Sequence, residues 1–205
     1  KVFAALLGHL EKVNYHFNTS ILATPLLLQV LTENGRADLA YKLMNQRDFP
    51  SYGYLADKKN NTLWETWNGD GNDEGCGHCH PMFGSVVAWF YHSLAGIKPD
   101  QSDPGMKHFY IEPMIVPDLK YCRATYDSQY GKISSDWKID ENGNLNLKIE
   151  VPANTSATVI IPDWGGRTVL ESGKPVSEVS NIVIDKVDSA RMKVSSGVYH
   201  FVILK

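Results

Sequence analysis

Apolar positions in the first half of the chain repeat with the period of an α-helix. The opening segment carries apolar residues three and four positions apart, which places them on one helix face: Val2, Phe3, Leu6, Leu7, Leu10 and Val13. A second helix is predicted from an N-cap at Thr19 to a C-terminal signal at Asn34-Gly35. A third helix is predicted over residues 37–45, ahead of Pro50.

The same periodicity returns after a long interruption. A fourth helix is predicted over residues 80–96, with an apolar face made of Phe83, Val86, Val87, Phe90 and Leu94. The intervening residues 48–79 are predicted to be a loop. Loops of that length inside a compact domain are often functional.

Beyond Pro99 the period changes to two, which is typical of β-strands. Turn signals such as Asn142-Gly143 and Ser172-Gly173 separate six short segments, predicted as strands over residues 121–126, 132–139, 145–151, 157–161, 182–187 and 198–204. Several strands at this spacing indicate a β-sandwich or jelly roll. We therefore expect a helical domain over residues 1–98, a linker over 99–113 and a β-sandwich domain over 114–205.

Charge and composition exclude several classes of protein. The 205 residues carry a formal net charge of -3, which provides no basic field for nucleic acid and no polybasic membrane anchor. The longest apolar stretch, residues 21–31, is too short to span a bilayer, which needs about 20 apolar residues. Neither a nucleotide-binding motif nor a redox motif occurs, so we predict no cofactor.

The N-terminus suggests a larger assembly. The chain begins with Lys1, inside an amphipathic helix and without an initiator methionine. Four helices are few to close a core of their own. We expect the 205 residues to be part of a longer protein, whose upstream helices complete the helical domain.

Reactive side chains concentrate in one segment of the long loop, residues 61–80, NTLWETWNGDGNDEGCGHCH. Glu65 lies between Trp64 and Trp67, an arrangement that suits a sugar site, because aromatic faces stack on sugar rings while carboxylates bond to their hydroxyls. Hydrolysis of a glycoside requires two carboxyl groups. The alternative is that both tryptophans are core anchors and Glu65 is an exposed acid.

Two other interpretations of this segment have less support. Cys76 and Cys79, with His78 and His80, resemble half of a zinc site, but four neighbouring residues cannot readily surround one tetrahedral ion, and Cys122 and His92 form no second ligand pair. Catalysis by a cysteine with an adjacent histidine is disfavoured because nucleophile and base usually come from distant segments. We therefore predict no metal site.

Longer motifs are more specific than this local pattern. TLWETWNG (residues 62–69) and HPMFGSVVAWFYHSLAGI (residues 80–97) resemble the catalytic motifs of inverting bacterial α-L-rhamnosidases. Upstream, HFNTSILATPLLLQVLTENGRADLAYKLMNQRDFPSYGY follows that family's order of motifs, and VPANTSATVIIP resembles its C-terminal sandwich. The resemblance covers nearly the whole chain.

This resemblance implies the last helices of an (α/α)6 barrel followed by a β-sandwich. It implies that Glu65 is the general base, that His80 binds sugar hydroxyls, and that Trp64 and Trp67 form the wall or support it. His16 is expected to line the same cavity. The family's general acid belongs to an upstream motif, so the 205 residues alone are expected to be inactive. The implied partners are a rhamnose-containing glycan or glycoside and the upstream remainder of the barrel.

Some features depart from the family or leave alternatives open. Where the family has Ser-x-Asn-His, this chain has Gly77, His78, Cys79 and His80, which puts the exact sugar specificity in doubt. A non-catalytic carbohydrate-binding protein on the same scaffold, and a structural remnant without a ligand, are the alternatives to a glycosidase. In the β-domain, Trp137 and Trp164 are expected to be sandwich packing rather than a sugar platform.

Overall fold

The computed structural model describes residues 1–58, 62–68, 77–162, 165–185, 187–188 and 190–205. These form two compact units, Lys1–Trp89 and Phe90–Lys205. The first is helical and the second is dominated by a β-sheet, as the change of period predicts. Trp164, Cys76 and the acidic residues of positions 69–76 lie outside the described residues. Within the described part of the chain, no helix is both long and apolar enough to cross a membrane.

The first unit contains six helices among its described residues. Their bounds are α1 Val2–Lys12, α2 Ala23–Glu33, α3 Ala37–Met44, α4 Tyr52–Asp57, α5 Pro81–Gly84 and α6 Val87–Trp89. The predicted ends of α2 and α3 are confirmed to within a residue. The predicted N-cap of α2 is wrong. Leu22 occupies the cap position, and the Thr19 hydroxyl instead bonds Thr24 Oγ1 at 2.8 Å.

Helix α2 has two apolar faces of different character. One face is buried and includes Leu27, Leu28 and Leu31. The other, which we call the α2 stripe, consists of Leu22, Leu26 and Val30, which are 62%, 59% and 39% exposed. Residues four apart lie above one another on a helix, so the stripe is continuous. A soluble helix usually shows one apolar face, and the second requires an explanation.

The fourth predicted helix is interrupted. After α5 the chain makes a turn at Ser85–Val86, resumes as α6 and then widens into a π-helix over Phe90–Leu94. Phe83, Val86 and Leu94 are buried as predicted, whereas Val87 is 52% exposed. The predicted loop over residues 48–79 also contains helix α4, which the periodicity did not indicate. Ser51 caps α4, its hydroxyl accepting a hydrogen bond from the Tyr54 N–H at 3.0 Å.

The second unit contains nine strands among its described residues. Their bounds are β1 Ile97–Pro99, β2 His108–Ile111, β3 Tyr121–Ser128, β4 Gly131–Ile139, β5 Leu145–Ile160, β6 Val169–Glu171, β7 Lys174–Pro175, β8 Ile182–Ile184 and β9 Arg191–Ile203. A short 3-10 helix covers Val176–Glu178. All the strands belong to one hydrogen-bonded sheet.

Two long strands give this sheet its layered form. The first part of β5 pairs with β4 and with the end of β9, while its second part pairs with β2 and with the start of β9. The register shifts between Val151 and Ser156, where an irregularity separates the two parts. Alternate residues of both parts of β5 enter one apolar core, among them Ile149, Ala157 and Val159. The sandwich is therefore folded from a single bent sheet.

The expected linker over residues 99–113 contains local structure that the sequence pattern did not indicate. Strand β2 lies within it and pairs in parallel with β5, from His108 opposite Ser156 to Ile111 opposite Val159. Trp137 is fully buried, and its indole N–H donates to the Leu94 carbonyl at 2.7 Å. The expectation that Trp137 is a packing residue is confirmed.

Candidate functional site

Hydrogen bonds join the two ends of the loop that carries Glu65. The Glu65 N–H donates to the Gly77 carbonyl at 2.9 Å, and the His80 N–H donates to the Leu63 carbonyl at 2.7 Å. These bonds run between antiparallel segments, like the rungs of a two-stranded ladder. Glu65 and His80, separated by fifteen positions in sequence, are thereby held on neighbouring segments.

The carboxylate of Glu65 is anchored on one side. Its Oε2 accepts a hydrogen bond from the Gly77 N–H at 2.9 Å, and the side chain is half-buried. A Cβ at position 77 would lie 3.4 Å from Glu65 Oε2 and 3.9 Å from His80 Cδ2. Gly77 thus lies against both side chains, and its amide fixes the orientation of the carboxylate.

The hydrogen bonding of the His80 side chain is unusual for a residue at the start of a helix. It precedes Pro81, the first residue of α5, but its side chain makes no capping hydrogen bond. Its Nδ1 is buried and has no hydrogen-bond partner among the described residues. His80 therefore occupies the N-cap position of α5 without capping the helix through its side chain. A buried polar atom without a partner carries an energetic cost, which a ligand hydroxyl would remove.

Trp64 lies beside the same ladder. Its ring stacks on the imidazole of His78, with centroids 4.1 Å apart and planes inclined by 12°. The Thr62 hydroxyl donates to the His78 carbonyl and so holds that histidine in place. One face of Trp64 is thus covered by His78, and the side chain as a whole is half-buried.

Trp67 is a packing residue. It stacks on Phe17 at a centroid distance of 5.1 Å and contacts Tyr52 and Phe83 at 5.2 Å and 4.4 Å. Its indole N–H donates to the Thr19 carbonyl at 2.9 Å. These contacts place the segment of residues 16–19 beside the segment of residues 65–67. Trp67 therefore holds the segment that carries Glu65 in place through its packing.

His16 uses both of its ring nitrogens within the protein. Nδ1 lies 2.9 Å from the Asn14 carbonyl, and Nε2 lies 2.7 Å from Asp48 Oδ1. His16 is 7% exposed, whereas the Asp48 side chain is 75% exposed. Burial lowers the pKa of His16, but the hydrogen bond and charge of Asp48 outweigh it and raise that pKa above its ordinary value. The same bond lowers the pKa of Asp48.

Three contributors to this arrangement were missed in the sequence: Asp48, Gly77 and Tyr52. Tyr52 donates its hydroxyl to the Phe83 carbonyl at 2.8 Å, and burial raises its pKa. Asp48 is 32 positions from His16, and no local pattern links an exposed loop aspartate to a distant histidine. The sequence did single out Gly77, because the family that this chain resembles has a serine at that position.

Cys79 is exposed and free. Among the residues that the structure describes, no three histidine, cysteine, aspartate or glutamate side chains gather in a way that could hold a metal ion. Cys76, the other half of the zinc hypothesis, lies outside those residues. The structure therefore offers no described cluster on which metal chemistry could be based.

Comparisons with known proteins match both units. Residues 1–94 match the bacterial alpha-L-rhamnosidase 6 hairpin glycosidase domain, and residues 96–175 match the bacterial alpha-L-rhamnosidase C-terminal domain. An alpha-L-rhamnosidase of Streptomyces avermitilis is 38% identical over 163 residues, which are 77% of this chain and 16% of that protein. One from Formosa agariphila is 31% identical over 204 residues, 96% of this chain and 22% of that protein.

Solved structures give the same result. The alpha-L-rhamnosidase from Dictyoglumus thermophilum superposes with a TM-score of 0.84 at 32% identity, covering 100% of this chain and 23% of its own. The Streptomyces avermitilis enzyme, solved in complex with L-rhamnose, superposes with a TM-score of 0.80 at 33% identity, covering 96% of this chain and 19% of its own. The chain spans about a fifth of the length of the curated relatives it matches.

Proposed function

The chain belongs to the bacterial α-L-rhamnosidase family, and we propose that it supplies the general base and part of the sugar-binding wall of a glycosidase active site. The reaction would be the hydrolysis of a terminal α-L-rhamnosyl linkage in a glycan or glycoside. The observation that carries this proposal is the pairing of Glu65 with His80. A carboxylate oriented by an amide lies on the ladder that also holds an imidazole nitrogen without a described partner.

In the proposed mechanism, Glu65 removes a proton from a water molecule as that water attacks the anomeric carbon. The attack occurs on the face opposite the leaving group, so the configuration inverts. An inverting enzyme keeps its two carboxyl groups about 6.5–9.5 Å apart to leave room for the water. The second carboxyl group, which protonates the leaving oxygen, is proposed to come from another part of the helical domain.

His80 and Trp64 are proposed to bind the sugar. The buried Nδ1 of His80 would bond a hydroxyl, and Trp64 would offer the part of its ring that His78 leaves uncovered. His16 is given a positioning role, since both of its nitrogens bond within the protein. Asp48, which His16 holds and which is largely exposed, is the member of that pair that could reach a ligand.

The α2 stripe indicates a further partner. Leu22, Leu26 and Val30 form an exposed apolar row that a soluble helix would normally bury. The family match describes a six-hairpin domain, in which helices pack side by side. We propose that the α2 stripe packs against further helices of that domain.

The test is turnover of an aryl α-L-rhamnoside by the full-length protein and by its Glu65→Gln variant. General-base catalysis contributes roughly a hundred- to ten-thousand-fold, so a fall of that size in kcat is expected. Glu11→Gln, which changes an exposed acid on α1, is the matched control and should leave kcat unchanged. An active protein indifferent to Glu65→Gln would place the base elsewhere.

The same residues would also suit a carbohydrate-binding protein without hydrolysis, because the unpartnered Nδ1 of His80 requires only a hydroxyl. Binding of L-rhamnose with no turnover in the full-length protein would favour that second function.

A further inference from the structure

A cleft of about 720 Å³, lined by polar side chains and by the aliphatic Val183, Ile184 and Val187, lies in the C-terminal unit. Strands β2, β5 and β9 form its floor. Side chains alternate along a strand, so residues next to core positions point into the cleft. His108 and Tyr110 flank the buried Phe109, and Arg191 and Lys193 flank the buried Met192. Clefts of about 300–1,000 Å³ are the usual size of small-molecule sites.

The floor of the cleft is an ordered row of hydrogen-bonding groups. His108 Nδ1 lies 2.8 Å from Ser156 Oγ, and its Nε2 lies 3.0 Å from Thr158 Oγ1. A hydroxyl can donate one hydrogen bond and accept others, so the half-buried Ser156 keeps capacity for a ligand, whereas Thr158 is buried and orients His108. The His108 ring packs edge-on against Tyr110, with centroids 5.5 Å apart, and so fixes that aromatic ring. Arg191 approaches the same ring, its guanidinium carbon 5.9 Å from the centroid.

Three described residues between β8 and β9, Asp185, Val187 and Asp188, line one side of the cleft. Asp185 Oδ1 accepts hydrogen bonds from the Val187 and Asp188 N–H groups at 2.8 Å and 3.1 Å. Asp188 Oδ1 accepts one from the Ala190 N–H at 3.1 Å. These amides hold the pKa of Asp185 below its usual range. The hydrogen bonds from the backbone therefore hold the Asp185 carboxylate in a fixed orientation.

The charges in the cleft decide which class of ligand it suits. Among the described lining residues, Arg191 and Lys193 are opposed by Asp100, Asp185 and Asp188, so these residues supply no excess of positive charge to hold a phosphate or a carboxylate. Paired donors and acceptors around an aromatic ring instead match the vicinal hydroxyls and the apolar C–H face of a sugar.

We propose that this cleft binds an uncharged saccharide. Tyr110 would contact its ring, while Arg191, Asp185 and the Ser156 hydroxyl bond to its hydroxyls. The site lies in the C-terminal unit, whereas Glu65 lies in the helical unit, and the inference does not depend on the proposed hydrolysis. It would give the protein a second point of attachment to a glycan.

The experiment is saturation-transfer NMR on the full-length protein with L-rhamnose, D-galactose, D-glucose, D-mannose, cellobiose and the charged D-galacturonate, followed by titration of each sugar that binds. Tyr110→Ala should weaken binding of at least one sugar about tenfold or more. Tyr126→Ala is the matched control, since Tyr126 is a 44% exposed tyrosine on β3 that does not line the cleft, and it should bind like the native protein. Arg191→Gln provides a second variant should Tyr110→Ala misfold.

Several outcomes would overturn the proposal. These are no saccharide binding, binding that Tyr110→Ala and Arg191→Gln both leave unchanged, an equal loss in Tyr126→Ala, or binding of galacturonate in place of the neutral sugars. A failure of the saccharide-binding proposal can be distinguished from a failure of the glycosidase proposal. Glu65→Gln should leave binding in the cleft intact, and Tyr110→Ala should leave turnover of a small aryl rhamnoside intact.

Discussion

At the scale of single residues, the ion pair of His16 and Asp48 makes stability depend on pH. Folding raises the pKa of His16, so its contribution is complete below the ordinary histidine pKa of about 6.5 and is lost as pH rises through the raised pKa. Folding lowers the pKa of Asp48, so that contribution is present above about 3.9 and is lost as pH falls through the lowered pKa. The pair therefore stabilises most between about pH 4 and pH 6.5.

Asp48→Asn is expected to destabilise the protein more at pH 5.5 than at pH 8.5, because asparagine can accept the His16 hydrogen bond but carries no charge. Urea unfolding at both pH values measures this difference, and NMR titration of His16 Hε1 should show a lower midpoint in the variant. Asp57→Asn is the control. Its partner Arg47 stays charged across this range, so its effect should be the same at both pH values. An unchanged His16 midpoint in Asp48→Asn would contradict the role given to the pair.

Some residues of the candidate site could be predicted from the sequence, and others could not. Glu65 and His80 belong to short motifs whose resemblance to a family assigns them roles, and the ladder between them follows from the same loop. The contact of Asp48 with His16 and the packing of Trp67 on Phe17 could not be predicted from the sequence, because each contact joins segments more than thirty positions apart. Contacts of that kind arise only when helices and loops are assembled.

At the scale of elements, Gly96 links the π-helix to the sheet through a close backbone approach. Its φ is +76°, and a Cβ there would lie 2.2 Å from the carbonyl carbon of Glu112. Its own carbonyl accepts a hydrogen bond from the Glu112 N–H at 2.9 Å. A side chain at this position would therefore both strain the backbone and separate two bonded segments.

Gly96→Ala is expected to cost more than backbone strain alone. Gly166 is a matched control, because its φ is also +76° and no atom of the described residues lies within 4 Å of the position that an alanine methyl group would take there. Gly166→Ala should cost about 1–2 kcal/mol for the left-handed conformation. Gly96→Ala should cost about 1–3 kcal/mol more, from the displaced backbone. Denaturant unfolding of both variants measures the difference, and equal losses would rule out the close approach as its cause.

The periodicity of apolar residues predicted the existence of helices and strands better than it predicted their interruptions and ends. The segment 80–96 has one apolar pattern, yet it forms α5, α6 and a π-helix, since a turn at Ser85 and Val86 interrupts it without removing apolar residues. Residues 145–151 and 157–161 were predicted as two strands. They form the single strand β5, because Asn154 adopts a left-handed φ of 62° that bends the strand without ending it. Local sequence does not distinguish a bend from an end.

At the scale of the whole molecule, the order of helices before strands predicted two domains, and the two compact units agree with that order. What the order could not predict is the use of residues 97–111 in the sheet. Strands β1 and β2 are three and four residues long, too short to show an alternating pattern. The place of β2 in the sheet is determined by pairing with β5, a partner about fifty positions later.

We propose that the catalytic base lies in these 205 residues and that the catalytic acid lies in another part of the helical domain. This proposal makes a prediction about the complete catalytic domain. An inverting glycosidase needs both an acid and a base, and this chain covers 23% of the Dictyoglumus thermophilum alpha-L-rhamnosidase. A chimera in which these 205 residues replace the matching segment of that enzyme should hydrolyse an aryl α-L-rhamnoside, while residues 1–205 alone should not. Glu65→Gln in the chimera should lower kcat roughly a hundred- to ten-thousand-fold. Turnover by residues 1–205 alone would mean that both carboxyl groups lie within this chain, and the acid would then have to be sought among its own aspartates and glutamates.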